Sequence, residues 1–212
     1  MTLRSAPRLV AITDLSQLDP VTLLARLRRL AEAARPSTLA LLLRDHAASG
    51  RQRLGLGREL ASIARRSGQA LWVADRIDLA LLLEADGLHL GEASVDATTA
   101  RRLWPAERWL SRAWHSLDDA RAAAELDGVN ALVVSPLLAE RKGRPALGLG
   151  QLGRLRDALA ASGRTPALYA LGGVSPDNAA ACLAAGAVGV AAIGAALGPE
   201  PSALLNALGI VR

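Results

Sequence analysis

Two segments near the C-terminus have the composition of an anion trap. In the first, Ala167-Leu168-Tyr169-Ala170-Leu171 runs into Gly172-Gly173; in the second, Gly189-Val190-Ala191-Ala192-Ile193 runs into Gly194. Each reads as a short apolar strand, a glycine turn and then a helix. Without a Cβ, glycine lets an anion approach its backbone N–H groups closely, and the helix that follows adds the positive end of its dipole. A pair of such turns points to a ligand carrying a phosphate ester, gripped by Gly172, Gly173, Ile193 and Gly194. Other chemistry-bearing residues follow earlier apolar stretches: Thr13-Asp14, Arg44-Asp45-His46, Asp75-Arg76, His89 with Gly91 and Glu92, Arg112 with His115, and Ser135 with Arg141 and Lys142. The set is rich in cations and holds a few carboxylates. It suits a phosphorylated or diphosphorylated substrate, with a divalent metal bridging carboxylate to phosphate. Each residue also has a structural alternative. Arg44 and Asp45 could form a rim ion pair, Asp75 could cap a helix, His89 and His115 could be hydrogen-bonded core histidines, and Lys142 could be a solvated loop charge.

Positioning these residues takes a regular framework. Short apolar stretches at 9–13, 38–43, 70–73, 87–90, 109–113, 131–134, 167–171 and 189–193 read as strands, and they lack the polar alternation of a half-exposed sheet. Between them, apolar residues recur at three- and four-residue spacing, as over 20–34, 52–67, 117–126 and 149–161, which predicts helices. Asp19 before Pro20, Ser116 before Leu117 and Ser175 before Pro176 are candidate N-caps. About eight strand–helix units in one run predict a closed parallel (β/α)8 TIM barrel, whose working residues gather at the C-terminal ends of the strands. An open flavodoxin-like sheet would leave units unused. With no linker, low-complexity tract or shift in composition, residues 1–212 read as a single domain. The polar stretch 136–148 is the least regular part.

Composition narrows the function classes. Of 212 residues, 51% are hydrophobic, yet aromatics make up only 2% and Phe is absent, so the core is expected to be built from Leu, Ala, Val and Ile. The net charge of +5 is modest, and runs such as Arg26-Leu27-Arg28-Arg29 and Arg65-Arg66 read as solvated helix faces. No aromatic stacking groups or known motif accompany them, which argues against nucleic acid as a partner. The single cysteine, Cys182, excludes an internal disulfide and a paired-cysteine zinc site. The uncharged stretch 179–198 is long enough to cross a bilayer, but it is mostly Ala and Gly and is broken at Gly186-Ala187-Val188-Gly189; a helix end, a buried strand and a new helix explain it. The N-terminal apolar run ends at Thr13-Asp14, too soon for a signal peptide. A cytoplasmic protein without a membrane partner is expected. Assembly with further copies of the chain is left open.

In their order along the chain, these residues resemble the thiamine phosphate synthase/TenI family. Ala11-Ile12-Thr13-Asp14 looks like its opening strand, Leu42-Leu43-Arg44-Asp45 like its Gln-Leu-Arg strand end, and Ala74-Asp75-Arg76-Ile77-Asp78-Leu79-Ala80 like its Asn-Asp-Arg-x-Asp-Leu-Ala motif. Ala85-Asp86-Gly87-Leu88-His89-Leu90-Gly91 is close to its Ala-Asp-Gly-Val-His-Leu-Gly motif, and Leu171-Gly172-Gly173-Val174 and Gly186-Ala187-Val188-Gly189-Val190 match its last two strands. The resemblance implies joining of a pyrimidine methyl diphosphate to a thiazole phosphate, with Mg²⁺ assisting the departure of diphosphate. It further implies that Arg44 and Lys142 bind diphosphate, Asp75 binds Mg²⁺, and Gly172, Gly173 and Gly194 grip the thiazole phosphate. Against the synthase pattern, the second metal aspartate falls at Ser94, the Asn before Asp75 is Ala74, the Gln two before Arg44 is Leu42, and the serine of a Ser-x-His stretch is Ala113. The TenI-type tautomerase places its histidine after the sixth strand, where this chain has Pro136. Two further readings stay open: a barrel that holds a phosphate ester without turnover, and another phosphate-handling barrel such as an isomerase, with a histidine or Glu92 as its base.

Overall fold

The computed structural model describes residues 5–115, 126–141 and 143–212. Eight parallel strands close into a barrel in chain order: β1 Leu9–Ile12, β2 Leu39–Leu43, β3 Ala70–Ala74, β4 Gly87–Leu90, β5 Trp109–Trp114, β6 Ala131–Val134, β7 Ala167–Ala170 and β8 Gly189–Ala192. Closure comes from β8 pairing with β1, Val190 opposite Leu9 and Ala192 opposite Ala11. The expected (β/α)8 TIM barrel is the fold found. Leu and Val fill both faces of the strands because each strand has the barrel interior on one side and helices on the other.

The described helices are α1 Pro20–Ala33, α2 Gly50–Ser67, α3 Ile77–Leu82, α4 Ala97–Leu103, α5 Leu149–Ala161, α6 Pro176–Ala184, α7 Gly194–Leu197 and α8 Pro201–Ala207. The helix expected over 117–126, with its cap Ser116, lies outside the described residues, apart from Leu126. Asp19 caps α1 by accepting from the Val21 and Thr22 amides, both at 3.0 Å. The second helix begins two residues before the expected 52 because Ser49 and Gln52 form a reciprocal capping box that fixes the earlier start. Ser175 opens α6, its N–H donating to Asn178 Oδ1 at 2.8 Å.

The core is aliphatic as expected, but three aromatics sit at its centre. Trp72 stacks on Trp109 and meets Tyr169 edge-on, with ring centroids 6.0 Å apart in both pairs. Trp72 and Tyr169 are fully buried. Gly87 makes room for this: a Cβ there would lie 2.5 Å from the Trp72 ring. Among the described residues no helix is long and apolar enough to cross a membrane.

Candidate active site

The C-terminal ends of the strands surround a cavity of about 310 Å³. Larger hollows of about 650 and 480 Å³ open beside the strand starts, next to Gln69 and Ala167. The smaller cavity is the chemical one, because the polar side chains of many different strands converge there. Arg44, His46, Asp75, His89, Glu92, His115, Arg141 and Arg144 line it together with Gly172 and Ile193. Its apolar walls come from Ile12, Leu42, Ala113, Val133 and Leu171.

Arg44 is placed by a knot between the first two strand ends. The Thr13 hydroxyl donates to buried Asp45 and accepts the Arg44 N–H at 3.0 Å, while Asp45 also accepts the Leu15 N–H at 2.6 Å. This leaves the Arg44 side chain over the cavity, 3.4 Å from Asp14. Burial works against charge on Asp14, but hydrogen bonds from Ser16 and Gln17, with Arg44 beside it, keep its carboxyl below the usual range. The rim ion pair left open for Arg44 and Asp45 is instead formed by Arg44 and Asp14, while Asp45 accepts from the Thr13 hydroxyl and the Leu15 N–H.

Asp75 follows β3 with φ 62°, an unusual conformation for a residue with a side chain. Its amide donates to the His89 carbonyl at 2.9 Å, which carries the carboxylate across to β4. There Oδ1 accepts from the Gly91 N–H at 2.9 Å and from the Ser94 hydroxyl, while Oδ2 lies 3.3 Å from His46 Nδ1. Asp75 therefore does not cap α3. Its neighbour Arg76 turns away to pair with Asp78, holding that carboxyl at about 2. Arg53, on α2, is buried behind this corner and donates to the Ala74 carbonyl at 2.7 Å. It is an exception to the expectation of solvated helix arginines, and its only sequence signal is its place in the apolar phase of α2.

The glycine turns close the opposite side. Gly172 and Gly173 have φ of 98° and 77°. A Cβ on Gly173 would come within 2.8 Å of Ala139, and one on Gly172 within 3.1 Å of Pro136. The loop after β6 is stitched to this turn by Leu137 N–H to the Leu171 carbonyl at 2.8 Å and Leu138 N–H to the Gly172 carbonyl at 2.9 Å. Gly194 begins α7, and a Cβ there would meet nothing within 4 Å. Among the described residues, the amides of Gly172, Gly173, Gly194 and Ala195 donate to no protein acceptor.

The remaining strand-end residues sort by direction. His89 reaches the cavity, its Nδ1 2.9 Å from Ser111 Oγ, and burial pushes it down to about 4. His115 places Nδ1 2.7 Å from the Ser135 carbonyl oxygen and 3.3 Å from the Ser135 hydroxyl. At the rim one guanidinium nitrogen of Arg144 donates to both carboxylate oxygens of Glu92, at 2.8 and 2.7 Å. Arg112 is not among the lining residues. Lys142 lies outside the described residues. Arg44, Asp75, Gly172 and Ile193 thus share one cavity, with Gly173 and Gly194 adjoining it. Sequence reasoning missed His46 as a partner of Asp75 and Ser94 as its hydrogen-bond donor. Their positions just past strand ends were the available signal.

Magnesium is tested by the same geometry. Asp75 is one carboxylate with one oxygen already accepting two hydrogen bonds, and among the described residues no group of three metal-ligating side chains gathers. These residues suit an ion that is carried largely by a substrate's phosphate oxygens and water, not one caged by protein.

Comparison with known proteins agrees with this architecture. Residues 9–196 match the family described as thiamine monophosphate synthase. The thiamine-phosphate synthase of Moorella thermoacetica is 39% identical over 160 residues, covering 75% of this chain and 74% of that one. That of Roseiflexus castenholzii is 36% identical over 180 residues, covering 83% and 76%. Among solved structures, the thiamine phosphate pyrophosphorylase from Pyrococcus furiosus superposes with a TM-score of 0.78 at 25% identity, over 95% of both chains. A 3-hexulose-6-phosphate synthase, at 16% identity and a TM-score of 0.62, shares the fold alone. With its barrel, its paired glycine turns and its Arg44–Asp75 side in place, the chain belongs to the thiamine monophosphate synthase family.

Proposed function

We propose that the chain is a transferase of thiamine biosynthesis, joining a pyrimidine methyl diphosphate to a thiazole phosphate and releasing diphosphate. One observation carries this reading. A single cavity has uncommitted backbone amides at the β7–β8 side and Arg44 with Asp75 at the β2–β3 side, so two phosphorylated molecules can meet with their rings between. The amides of Gly172, Gly173 and Gly194 hold the thiazole phosphate. Arg44 holds the diphosphate, and Lys142, outside the described residues, is the second cation proposed for it. The bond between the methylene carbon and the diphosphate oxygen breaks with its electron pair going to oxygen, and the thiazole nitrogen lone pair then bonds to that carbon. The chain's part is to hold the two partners in line and to stabilise the negative charge that grows on the leaving group. Asp75 would supply the protein ligand to a magnesium ion, whose chemistry would be to offset that same charge. Ile12, Leu42 and Val133 exclude water from the cation that forms between the rings.

A second reading, a barrel that holds thiazole phosphate without turnover, is favoured by Ser94, which occupies Asp75 through a hydrogen bond instead of contributing a carboxylate. Incubating the protein with both substrates and magnesium, and assaying for thiamine phosphate, separates the two. Product formation lost in Asp75→Ala supports the transferase. Thiazole phosphate binding with no product at any magnesium concentration leaves only the binder.

A further inference from the structure

Arg53 breaks the pattern of the helix that carries it. The other buried positions of α2 are apolar or small, Leu56, Leu60, Ala61 and Ile63 among them, and position 53 falls in the same phase. The arginine there is 5% exposed. Burial acts against its charge, as does Arg76, while Asp75, Asp45 and Asp78 support it; the net effect lowers the guanidinium from its usual value. Its Nε is buried without a hydrogen-bond partner among the described residues. A methionine would fill this place without the cost of burying a charge, so packing does not account for an arginine.

What the guanidinium holds is one carbonyl, that of Ala74, which accepts from Nη2 at 2.7 Å. The same oxygen accepts the Arg76 N–H at 2.7 Å. A bond from residue 76 back to residue 74 closes a γ-turn centred on Asp75, and the φ of 62° puts it in the positive-φ form, which is rare and strained. Such a conformation persists only where its surroundings over-determine it. Here the N–H of the same peptide donates to the His89 carbonyl at 2.9 Å, so the Ala74–Asp75 peptide is gripped from α2 at one edge and from β4 at the other. The turn delivers the Asp75 carboxylate to the donors of Gly91 and Ser94 and to the cavity wall. Arg53 itself is not among the lining residues.

We infer that Arg53 is a positioning residue: its guanidinium fixes the peptide that aims the Asp75 carboxylate into the cavity, and so sets how well that carboxylate serves a substrate-borne divalent ion. This rests on the transferase reading and its assignment of Asp75. Without the guanidinium, the Ala74 carbonyl keeps only the turn's own hydrogen bond, and Asp75 can relax to an ordinary φ that swings its carboxylate out of place. The phosphate grip on the β7–β8 side is untouched.

Arg53→Met and Arg53→Lys test this, the second returning one donor toward Ala74. Two quantities are measured. One is binding of manganese together with inorganic pyrophosphate, followed by electron paramagnetic resonance. The other is the magnesium dependence of thiamine phosphate formation. Arg53→Met is expected to weaken manganese binding and to raise the half-saturating magnesium concentration, each by about 10- to 100-fold. Its calorimetric affinity for thiazole phosphate should stay that of the wild type, and Arg53→Lys should recover most of the loss. A merely structural role would lower the melting temperature and leave the metal dependence of the folded protein unchanged. In an Asp75→Ala background, Arg53→Met should weaken residual manganese binding no further, because the arginine acts through Asp75. If Arg53→Met does not fold, Arg53→Gln takes its place, with a shift in the same direction expected. Equal manganese binding by the wild type and the folded variants, binding by none of them, or losses that add in the double variant overturn the inference and leave the transferase standing. A wild type that forms no thiamine phosphate removes the transferase reading, and manganese binding then decides the role of Arg53 by itself.

Discussion

The Ser94 hydroxyl and the Gly91 amide donate to one and the same oxygen of Asp75, so the carboxylate of β3 is moored to the turn that follows β4. The Ser94 N–H in turn bonds the Gly91 carbonyl at 3.3 Å, which fixes the serine in place. A side chain at position 94 therefore points at Asp75 by construction. Replacing Ser94 with Asp is expected to set two carboxylates side by side. Without magnesium they repel, and the melting temperature falls; with magnesium it recovers. In an activity titration, Ser94→Asp should lower the half-saturating magnesium concentration by about 10-fold. An unchanged magnesium dependence would mean that position 94 does not face the metal.

The two glycine turns should respond differently to added bulk. Gly173→Ala places a Cβ at φ 77° and within 2.8 Å of Ala139, so it strains both the turn and the loop after β6. A loss of about 1–3 kcal/mol in stability is expected, measured by denaturant unfolding. Gly194→Leu extends into open space from an ordinary backbone conformation, so its melting temperature should stay near that of the wild type. Calorimetry with thiazole phosphate should nevertheless show weakened binding. If Gly194→Leu binds as tightly as the wild type, the β8 turn is not part of the phosphate grip.

His89 gives the fold a defined acid sensitivity. Its ordinary value of 6.5 is pushed to about 4 by burial, so the folded chain resists a proton that the unfolded chain accepts. The stability this group contributes is complete above pH 6.5 and is lost as pH falls from 6.5 toward 4. The difference amounts to roughly 2–3 kcal/mol after allowance for the ring's partial contact with the cavity. In denaturant unfolding across that range, wild-type stability should fall with acidification and His89→Gln should give a flatter curve. The Asp14 carboxyl, held low, contributes stability that is lost only at more acid pH, so the two effects separate.

Glu84 ends the α3 turn with φ 53°, a left-handed conformation that suits glycine. Its side chain is exposed. Glu84→Gly is expected to stabilise the protein by about 1 kcal/mol, raising the melting temperature by roughly 2–4 °C. Calorimetric melting checks this. A lower melting temperature would show that the glutamate side chain contributes more than its backbone strain costs.

The barrel was legible because parallel strands buried on both faces leave an unbroken apolar signature, and all eight appeared within a residue or so of their positions. The same signature hid which face each residue takes. In the run Leu41-Leu42-Leu43, Leu42 lines the cavity and its neighbours do not; nothing in three consecutive leucines tells them apart. Strand five shows the cost: Arg112 was grouped with His115 at the mouth, yet alternation along β5 brings Ala113 and His115 to the cavity and not Arg112. The Arg44–Asp14 and Asp75–Ser94 contacts were likewise beyond reach. Each joins residues from different strand–helix units, and their partners are set by strand register and by two or three residues of loop, quantities that sequence spacing does not encode.

Trp72, Trp109 and Tyr169 pack together inside the barrel, and the cavity that holds Arg44 and Asp75 opens at the strand ends. Two reactants that enter by that doorway leave as two products through the same mouth. On such a plan a product that lingers at the threshold blocks the next pair, so release as well as bond making can set the pace of turnover.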